Sequence, residues 1–313
     1  MASSRNSPAR SWQRRSGYAW SVLALDKKRF GLLAAASLLQ NANFKGFFTG
    51  KIYQGPLKNG CVPGLNCYSC PGAIGSCPIG SLQSFLSGLK FRFPYYVVGL
   101  LLFFGAVLGR AVCGLLCPFG FFQELLYLIP GLPKKNHFKG DKPMRKLKYA
   151  VLVILVIGLP SFVALTPFFC KYLCPSGTLS GILLAARDSM VRAQLGGIFL
   201  WKAVLLVLIA VGCLVVFRPF CKYLCPLGAI YGLFNKFALY RMDLDKDKCV
   251  SCGKCAKVCR MCVDPSLTPN SPECVRCGDC VKSCPTGALK TGFYRKAPGS
   301  APKEKHSHDL GGM

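Results

Sequence analysis

Acidic residues and histidines are the scarce classes in this chain. Its 313 residues include 12 Asp and Glu against 40 Lys and Arg, and three histidines, His137, His306 and His308. None of these histidines falls within a long apolar run, which excludes a haem held by two histidines within a bilayer. The sequence also lacks a Gly-x-Gly-x-x-Gly or Walker motif, so hydride transfer and ATP chemistry have no visible nucleotide site.

Cysteine, by contrast, is abundant, with 20 residues. Two C-terminal runs each have the spacing C-x2-C-x2-C-x3-C, which is typical of bacterial [4Fe–4S] ferredoxins. In such two-cluster modules the fourth cysteine of each run binds the other cluster. The spacing therefore predicts one cluster on Cys249, Cys252, Cys255 and Cys284, and a second on Cys274, Cys277, Cys280 and Cys259.

The first run has two irregular features. Arg260 stands where a proline is expected after Cys259, and Cys262 adds a ninth thiol that is either free or a competing ligand. Zinc ribbons also use C-x2-C pairs, but two full quartets do not fit them. A module of this size has too little apolar surface to be stable alone, so we expect the clusters to form its core.

Apolar residues make up 52% of the chain and are concentrated in long blocks. Runs near the roughly 20 residues that cross a bilayer predict transmembrane helices. Shorter apolar stretches that follow a Cys-Pro predict half-helices or interfacial helices. The predicted spans cover about 30–44, 94–112, 147–168 and 196–217, and the shorter helices cover 118–129, 175–186 and 226–234.

The formal net charge of +28 is carried mainly by the segments between these apolar blocks. Lys and Arg are dense in the N-terminal arm and in the loop after the second span, and sparse after the third. By the positive-inside rule, this bias predicts a multi-pass protein of the cytoplasmic (inner) membrane with both termini in the cytoplasm. The same rule explains the basic charge without nucleic-acid binding.

Cys-Pro elements recur inside the apolar region. Three C-x3-C-P motifs and a looser cysteine element form two copies of one unit, over about 61–130 and 170–237. Both copies enter the membrane from the same side, which predicts a parallel repeat and one thiol quartet on each membrane face, about 30 Å apart. The inner quartet is Cys113, Cys117, Cys221 and Cys225, and the predicted outer quartet is Cys70, Cys77, Cys170 and Cys174. Four thiols are what a [4Fe–4S] cluster requires, so up to two further clusters are expected.

The proline of each motif predicts a helix start. Proline pushes the preceding residue out of helical conformation and is favoured at the first helical position. We therefore expect Cys117, Cys174 and Cys225 to cap the short helices that follow. Their partners lie four residues earlier, which would place each pair on one face if the segment were helical.

Several residues keep alternative interpretations. Cys67 could replace Cys70 in the predicted outer quartet, or pair with Cys61 in a disulfide on the outer face. Cys213 lies inside an apolar run and is expected to be a core residue. Glu124 is the one acidic residue near membrane depth, which makes it a candidate for a proton or quinol role, or an interfacial residue.

These observations predict an α-helical integral membrane protein of about four spans, with Cys-Pro half-helices and a small α+β bacterial-ferredoxin-like domain at the C-terminus. The predicted organisation is a basic cytoplasmic arm (1–29), a membrane domain (30–240), a two-cluster ferredoxin domain (241–292) and a disordered tail (293–313).

Four sequence segments carry a family resemblance. They read CYSCPGAIGSCPIG, GRAVCGLLCPFG, FRPFCKYLCPLGAIYGLFNK and NSPECVRCGDCVKSCPTGAL. Together they resemble the membrane-bound [4Fe–4S] proteins of the NapH/MauN and NosR type, over about residues 40–292. The resemblance implies a quinol- or ferredoxin-linked electron-transfer subunit, or an accessory protein that maintains a partner metalloenzyme. It also implies redox roles for the inner quartet. The chain departs from the pattern in its additional outer Cys-Pro elements and in lacking a flavin-bearing extracytoplasmic domain.

Three functions remain in competition. The first is a membrane carrier of single electrons between a cytoplasmic donor or acceptor and the quinone pool or an outer-face protein, as part of an oxidoreductase. The second is a reductase that maintains a metal or thiol site in a partner. The third is a membrane anchor whose upstream cysteines are structural. Cluster potentials span roughly −700 to +450 mV, so the sequence does not set the direction of electron flow.

Overall fold

A computed structural model describes residues 27–293, except 88–93, 131, 137, 139 and 163–165. Most of the arm predicted over 1–29, nearly all of the tail predicted over 293–313, and the three histidines lie outside the described residues. The described chain is mostly helical and ends in a small module with a two-stranded sheet.

Helices make up most of the described chain as far as Phe234, apart from the loop region between Thr49 and Pro78. The α-helices are α1 Lys27–Gln40, α2 Phe44–Thr49, α3 Pro78–Leu86, α4 Tyr95–Leu108, α5 Ala111–Leu115, α6 Pro118–Leu128, α7 Asp141–Met144, α8 Leu147–Ala150, α9 Leu159–Phe162, α10 Pro175–Ala185, α11 Ser189–Ala193, α12 Gly197–Val215, α13 Pro219–Tyr223, α14 Pro226–Phe234, α15 Lys254–Val258 and α16 Asp279–Ser283. A 3-10 turn covers Pro56–Asn59, π-helical stretches cover Val151–Gly158 and Phe169–Leu173, and the strands are β1 Tyr240–Leu244 and β2 Leu289–Phe293.

Each predicted span overlaps helical residues in the structure. These helices are α1, α4, the continuous run from α8 through α9, and α12. Among the described residues, α12 alone has the length and composition to cross a membrane, with 19 residues and a mean hydropathy of 2.7. α4 is a shorter apolar helix of 14 residues. One candidate span is therefore present, and the four-span arrangement remains a prediction.

The apolar helices expose much of their hydrophobic surface. On α12, only 11% of the apolar window is buried, and Leu200, Val207 and Leu208 are each more than half exposed. α4 likewise exposes Leu102 and Phe103. Contiguous apolar surface of this kind is rare on soluble monomers and marks a membrane or protein contact.

A short helix begins directly after each Cys-Pro, as the sequence predicts. Proline is the first residue of α3, α6, α10 and α14. The preceding cysteines are extended, with ψ between 111° and 128°. Because Pro cannot donate a backbone hydrogen bond and restricts the residue before it, the chain changes direction here and a new helix starts.

The two cysteines of each C-x3-C-P motif do not share one helix. Cys113 lies in α5, Cys221 in α13 and Cys170 in the π-helical stretch Phe169–Leu173, whereas their partners cap the next helix. The conditional expectation of a pair on one helical face is therefore wrong. Each pair instead spans a break between two helices, because the proline stops the first helix before its second cysteine.

The C-terminal module is built on the antiparallel pair β1 and β2, in a register that places Tyr240 opposite Phe293. Helices α15 and α16 pack on each other beside this pair. Its small apolar core consists of Met242, Val258, Cys280 and Leu289. This is the α+β module that the sequence predicts.

Asn235 joins this module to the helical region. It is fully buried at the end of α14. Its side chain accepts the Arg110 N–H at 2.8 Å and donates to the carbonyl oxygens of Ser271 and Cys274, both at 2.8 Å. Arg276 donates to the Asn235 carbonyl oxygen at 2.7 Å. The module is thus held against the helices by buried polar contacts.

Candidate metal centres

One cavity of about 370 Å³ lies between α15 and the start of β2 in the C-terminal module. Its walls include small and apolar residues such as Val250, Ala288 and Leu289. The four cysteines predicted for the first cluster, Cys249, Cys252, Cys255 and Cys284, all line it. We call it the Cys249 cavity.

A second cavity, of about 340 Å³, lies between α16 and the end of α15. Met242, Met261 and Val263 form apolar walls. The four cysteines predicted for the second cluster, Cys259, Cys274, Cys277 and Cys280, all line it. We call it the Cys274 cavity. The structure thus brings each predicted set of four together, with the fourth cysteine of each run placed in the other run's cavity.

Thiols of the Cys274 cavity sit in a poorly solvated environment. Burial raises the pKa of Cys280 to about 12, with further upward contributions from Cys274 and Cys259. Burial also raises the pKa of Cys259 and of Cys274 above the usual thiol range. Without a cation these groups would be neutral, whereas coordination to iron deprotonates a thiol outright. The donor set therefore fits a cationic iron core.

The number of thiols at each cavity also fits a cluster. Among the described residues, no three His, Cys, Asp or Glu side chains converge closely enough to hold a single metal ion. In a [4Fe–4S] cluster each thiolate binds a different iron, so the four sulfurs stand further apart than around one ion. Four cysteines around a cavity are the arrangement that such a group needs.

The inner quartet is also brought together. Cys113, Cys117, Cys221 and Cys225 are all at least 96% buried. Each of these thiols is close enough to at least one of the others for their charges to interact. Polar donors reach three of the sulfurs: Leu65 N at 3.4 Å from Cys117 Sγ, Gln123 Nε2 at 3.0 Å from Cys221 Sγ and Gly228 N at 3.4 Å from Cys225 Sγ. Such donors stabilise sulfur ligands and tune cluster potentials.

Two fully buried arginines flank the inner quartet in a reciprocal arrangement. Arg110 precedes Cys113 by three residues and donates to the Cys221 carbonyl oxygen at 2.7 Å. Arg218 precedes Cys221 by three residues and donates to the Cys113 carbonyl oxygen. Each copy of the repeat thus supplies an arginine to the other copy. The shared spacing in GRAVC and FRPFC was the sequence signal for both residues, and the sequence-based prediction missed it.

Each of these arginines has a buried carboxylate partner. Arg218 Nε donates to Glu124 at 3.1 Å, and Arg29 approaches the same carboxylate at 3.0 Å. Arg110 pairs with Glu273 at 2.8 Å. Burial raises the pKa of Glu124, but Arg218 and Arg29 outweigh it and hold the pKa below its usual range. The structure therefore places Glu124, the predicted proton or quinol candidate, as a buried charged partner of two arginines.

The inner quartet adjoins the Cys274 cavity. Gly114, which follows Cys113, packs so closely on the carbonyl of Val275 that a side chain there would collide with it. Val275 in turn follows Cys274. The chain segments that carry the two sites are therefore in direct contact.

At the predicted outer quartet, the structure brings Cys67 close to three of the predicted thiols. Cys77, Cys170 and Cys174 lie within electrostatic range of one another and of Cys67. The Cys70 thiol lies 3.7 Å from Asn41 Oδ1 and is within electrostatic range of Cys67, but not of the other three thiols. The backbone turns between the two cysteines, and Cys70 N donates to the Cys67 carbonyl oxygen at 3.1 Å, a contact that sequence spacing alone does not reveal. We call Cys67, Cys77, Cys170 and Cys174 the observed outer group.

The observed outer group and the inner quartet lie close together. Leu65, whose N–H contacts Cys117 Sγ at 3.4 Å, is two residues from Cys67. Two residues extend at most about 7 Å, so the path from the Cys117 thiol to Cys67 is on the order of 10 Å. Fully buried Tyr231 fills this region: it donates to Pro63 O at 3.0 Å and lies within electrostatic range of both sets. The expected separation of about 30 Å is therefore wrong, because the loop through Leu65 folds inward.

The remaining cysteines have separate environments. Cys61 donates to Ser81 Oγ at 3.4 Å and forms no disulfide with Cys67. Cys213 is fully buried in the apolar core, as expected. Cys262 donates to the Asn136 carbonyl oxygen at 3.0 Å, with Lys222 Nζ at 3.7 Å from its sulfur. Cys262 does not line the Cys274 cavity.

Comparison with protein families gives two matches, both described as 4Fe-4S binding domains. Fer4_5 matches residues 93–136, 147–188 and 198–244, and Fer4 matches residues 269–290. Each of the three Fer4_5 segments contains one C-x3-C-P motif. The Fer4 segment contains the second C-terminal cysteine run.

Several curated proteins are similar to the chain. The methylamine utilization ferredoxin-type protein MauN of Paracoccus denitrificans is 30% identical over 60% of this chain and 62% of its own length. The ferredoxin-type protein NapH of Haemophilus influenzae is 29% identical over 51% of each chain. The chain belongs to the NapH/MauN class of [4Fe–4S] ferredoxin-type proteins. It spans about six tenths of the MauN protein and half of the NapH protein that it matches.

One further relative has no described function. An uncharacterized protein of Methanocaldococcus jannaschii is 25% identical over 70% of this chain and 78% of its own length. No solved structure matches the chain. As a NapH/MauN-class protein with 4Fe-4S binding domains, the chain has [4Fe–4S] clusters as its cofactors.

Proposed function

We propose that this protein relays single electrons through a membrane, between a cytoplasmic donor or acceptor at the C-terminal module and the quinone pool or a redox protein at the other side. The proposal rests on the order in which the cysteine sites lie in space. The Cys249 cavity, the Cys274 cavity and the inner quartet follow one another through the molecule. When bound, [4Fe–4S] clusters accept and donate one electron at a time, one being oxidised as its neighbour is reduced.

The cysteines of the C-terminal module are proposed as ligands of two clusters. Cys249, Cys252, Cys255 and Cys284 would hold the first, and Cys274, Cys277, Cys280 and Cys259 the second. Cys252 is exposed, so the first site is within reach of a soluble redox partner. The Cys274 cavity is the more enclosed site and faces the inner quartet. The module therefore has one end open to a partner and one end directed into the helical region.

The inner quartet is proposed to hold a third cluster. A cubane with four thiolates carries a net charge of roughly −2, which is costly to bury without compensation. Arg110 and Arg218 supply positive charge at the backbone of this quartet. Glu273 and Glu124 fix the positions of these two arginines. The chain's own residues thus provide both the ligands and the charge balance of a buried anionic site.

A membrane location is supported by exposed apolar helices and by the distribution of positive charge. The exposed leucines and valines of α12 need an apolar environment, and α12 has the length of a span. We infer that α1, α4 and the run from α8 through α9 also cross the membrane, with both termini in the cytoplasm, because the basic segments then lie on one side.

The experiment that tests this function is the iron content and quinol reactivity of the full chain purified without oxygen. We expect at least about 12 iron atoms per chain, and reduction of the clusters by a quinol. Cys113→Ser should lose about four of these iron atoms. Cys213→Ala, which alters an equally buried cysteine outside any quartet, should lose none.

Two results would contradict the proposal. About eight iron atoms with Cys113→Ser unchanged would limit the clusters to the C-terminal module. Clusters that a quinol and a soluble reductant both fail to reduce would exclude the relay, because neither end of the proposed path would then accept electrons.

A further inference from the structure

We propose that the observed outer group, Cys67, Cys77, Cys170 and Cys174, binds a fourth [4Fe–4S] cluster. This inference rests on the proposed function and extends the relay beyond the inner quartet. The inner quartet and the observed outer group lie close to each other, since the path from the Cys117 thiol to Cys67 is on the order of 10 Å. A cluster at the observed outer group would exchange one electron with the inner site, each being oxidised as the other is reduced.

Two glycines leave room where these thiols converge. A Cβ at Gly177 would lie 3.8 Å from Cys67 Sγ and 3.9 Å from Cys174 Sγ. A Cβ at Gly80 would lie 3.8 Å from both Cys170 Sγ and Cys77 Cβ. Each glycine therefore borders sulfurs or ligand carbons from two separate chain segments. A larger side chain at either position would extend into the space that a cluster needs.

The inner quartet has the same pairing of a capping cysteine with a glycine in the short helix that follows. All four short helices begin with C-P-x-G, so each glycine stands three residues after a capping cysteine. At the inner quartet the capping cysteines are Cys117 and Cys225, and at the observed outer group they are Cys77 and Cys174. The observed outer group thus repeats the half-helix pair of the inner site. Its remaining two thiols come from a loop and a π-helical stretch.

A lysine within the candidate membrane helix points to an anionic ligand at this site. Lys202 lies near the start of α12, and its Nζ donates to the Cys170 carbonyl oxygen at 3.2 Å. Its Nζ is also 3.7 Å from the Gly177 Cβ position, beside Cys67 and Cys174. No carboxylate among the described residues pairs with it. An ionised side chain in a membrane helix is costly unless it has a counter-charge, which a cluster of roughly −2 would supply.

Cys70 provides a matched control. It is buried and three residues from Cys67, but its thiol contacts Asn41. Nearby Lys58 donates to the Ala73 carbonyl oxygen at 2.7 Å and helps to hold this loop. Replacing Cys70 therefore perturbs the same loop as replacing Cys67, without removing a proposed ligand.

The test is iron and acid-labile sulfide per full chain, purified without oxygen, for the native protein, Cys67→Ser and Cys70→Ser. We expect about 16 iron atoms in the native protein and in Cys70→Ser, and about 12 in Cys67→Ser. Iron lost from Cys70→Ser but not from Cys67→Ser would overturn the inference, as would equal iron in all three. About 12 in the native protein would overturn the fourth site and leave the proposed function standing. About eight would overturn both.

A second pair of variants covers the case in which Cys67→Ser does not fold. Lys202→Gln removes the half-buried positive charge beside Cys170 and should lower the midpoint potential of one cluster at unchanged iron content, because the reduced state is the more negative one. Lys171→Gln removes an exposed charge beside Cys170, where solvent screens it, and should have a much smaller effect. Redox titration followed by electron paramagnetic resonance measures both. Identical potentials in native protein and Lys202→Gln would overturn the inference.

Discussion

At the scale of single residues, the inner quartet depends on arginines that the two copies of the repeat exchange. Arg110 reaches the Cys221 carbonyl and Arg218 reaches the Cys113 carbonyl, although each belongs to the other cysteine's copy. Neither arginine is exposed to solvent. Their carboxylate partners, Glu273 and Glu124, are therefore part of the same buried charge system.

Replacement of Glu124 separates a structural role from proton transfer. Glu124→Gln removes the carboxylate that pairs with fully buried Arg218, and breaking a buried pair in this way costs about 3–5 kcal/mol. We expect a large loss of stability together with loss of iron from the inner quartet. Thermal unfolding in detergent and iron content measure the two effects.

The control for this variant is Asp243→Asn, which alters an exposed carboxylate and should change stability little. If Glu124→Gln kept full iron content and stability but lost quinol-dependent electron transfer, Glu124 would be a proton carrier rather than a structural partner.

At the scale of elements, each C-P-x-G segment begins a short helix. It places a cysteine just before the helix and a glycine three residues after that cysteine. The proline stops one helix and begins the next, and the glycine lets another group approach. At Gly120 that group is the Arg218 guanidinium with the Cys113 carbonyl, and at Gly228 it is the Cys221 carbonyl with Arg110. The short helices therefore position the cysteines and their neighbouring groups at each site.

Glycine-to-alanine substitutions at the inner quartet should differ in their effect. A Cβ at Gly120 would lie 2.9 Å from Arg218 Nη1 and 3.0 Å from the Cys113 carbonyl oxygen, whereas at Gly228 the shortest distance is 3.3 Å. Overpacking of this kind costs about 1–3 kcal/mol. Gly120→Ala should therefore lose more stability and iron than Gly228→Ala, as measured by thermal unfolding and iron analysis. An equal or reversed order would contradict this packing account.

The sequence predicted the starts of the short helices well, because these depend on neighbouring residues. It predicted contacts between distant residues less well. Proline chemistry is local, so the helices that start at Pro118, Pro175 and Pro226 could be read from the sequence. The choice between Cys67 and Cys70 depends on how one loop folds against other helices, which spacing does not encode. The same limit explains why Arg110 and Arg218 were missed, since their partners lie more than 100 residues away.

At the scale of the whole molecule, the proposed electron relay requires close contact between the C-terminal module and the helical region. Asn235 makes the central contact, since it is fully buried and bonds to both sides. Glu273 adds ion pairs to Arg110 and Lys148 across the same boundary, at 2.8 and 2.5 Å.

Asn235→Ala should loosen this boundary without emptying the module. It leaves the Arg110 N–H and the Cys274 carbonyl oxygen without the partners they have here, and each buried unsatisfied group costs about 1–3 kcal/mol. We expect retained module clusters, faster proteolytic release of the module and slower electron transfer into the inner quartet. Limited proteolysis and rapid-freeze electron paramagnetic resonance measure these effects.

Asn270→Ala is the matched control for that variant, because Asn270 bonds only to Met242 inside the module. It should weaken the module itself and leave the boundary intact. If the two variants released the module at the same rate, Asn235 would not be the contact that holds it.

Electron transfer across a sealed membrane tests the central claim most directly. The full chain is placed in vesicles that enclose an impermeant one-electron acceptor, and an impermeant reductant is added outside. We predict acceptor reduction well above the rate of protein-free vesicles, and its loss in Cys225→Ser but not in Cys213→Ala. Native protein with full iron content that reduces the enclosed acceptor no faster than protein-free vesicles would contradict the relay.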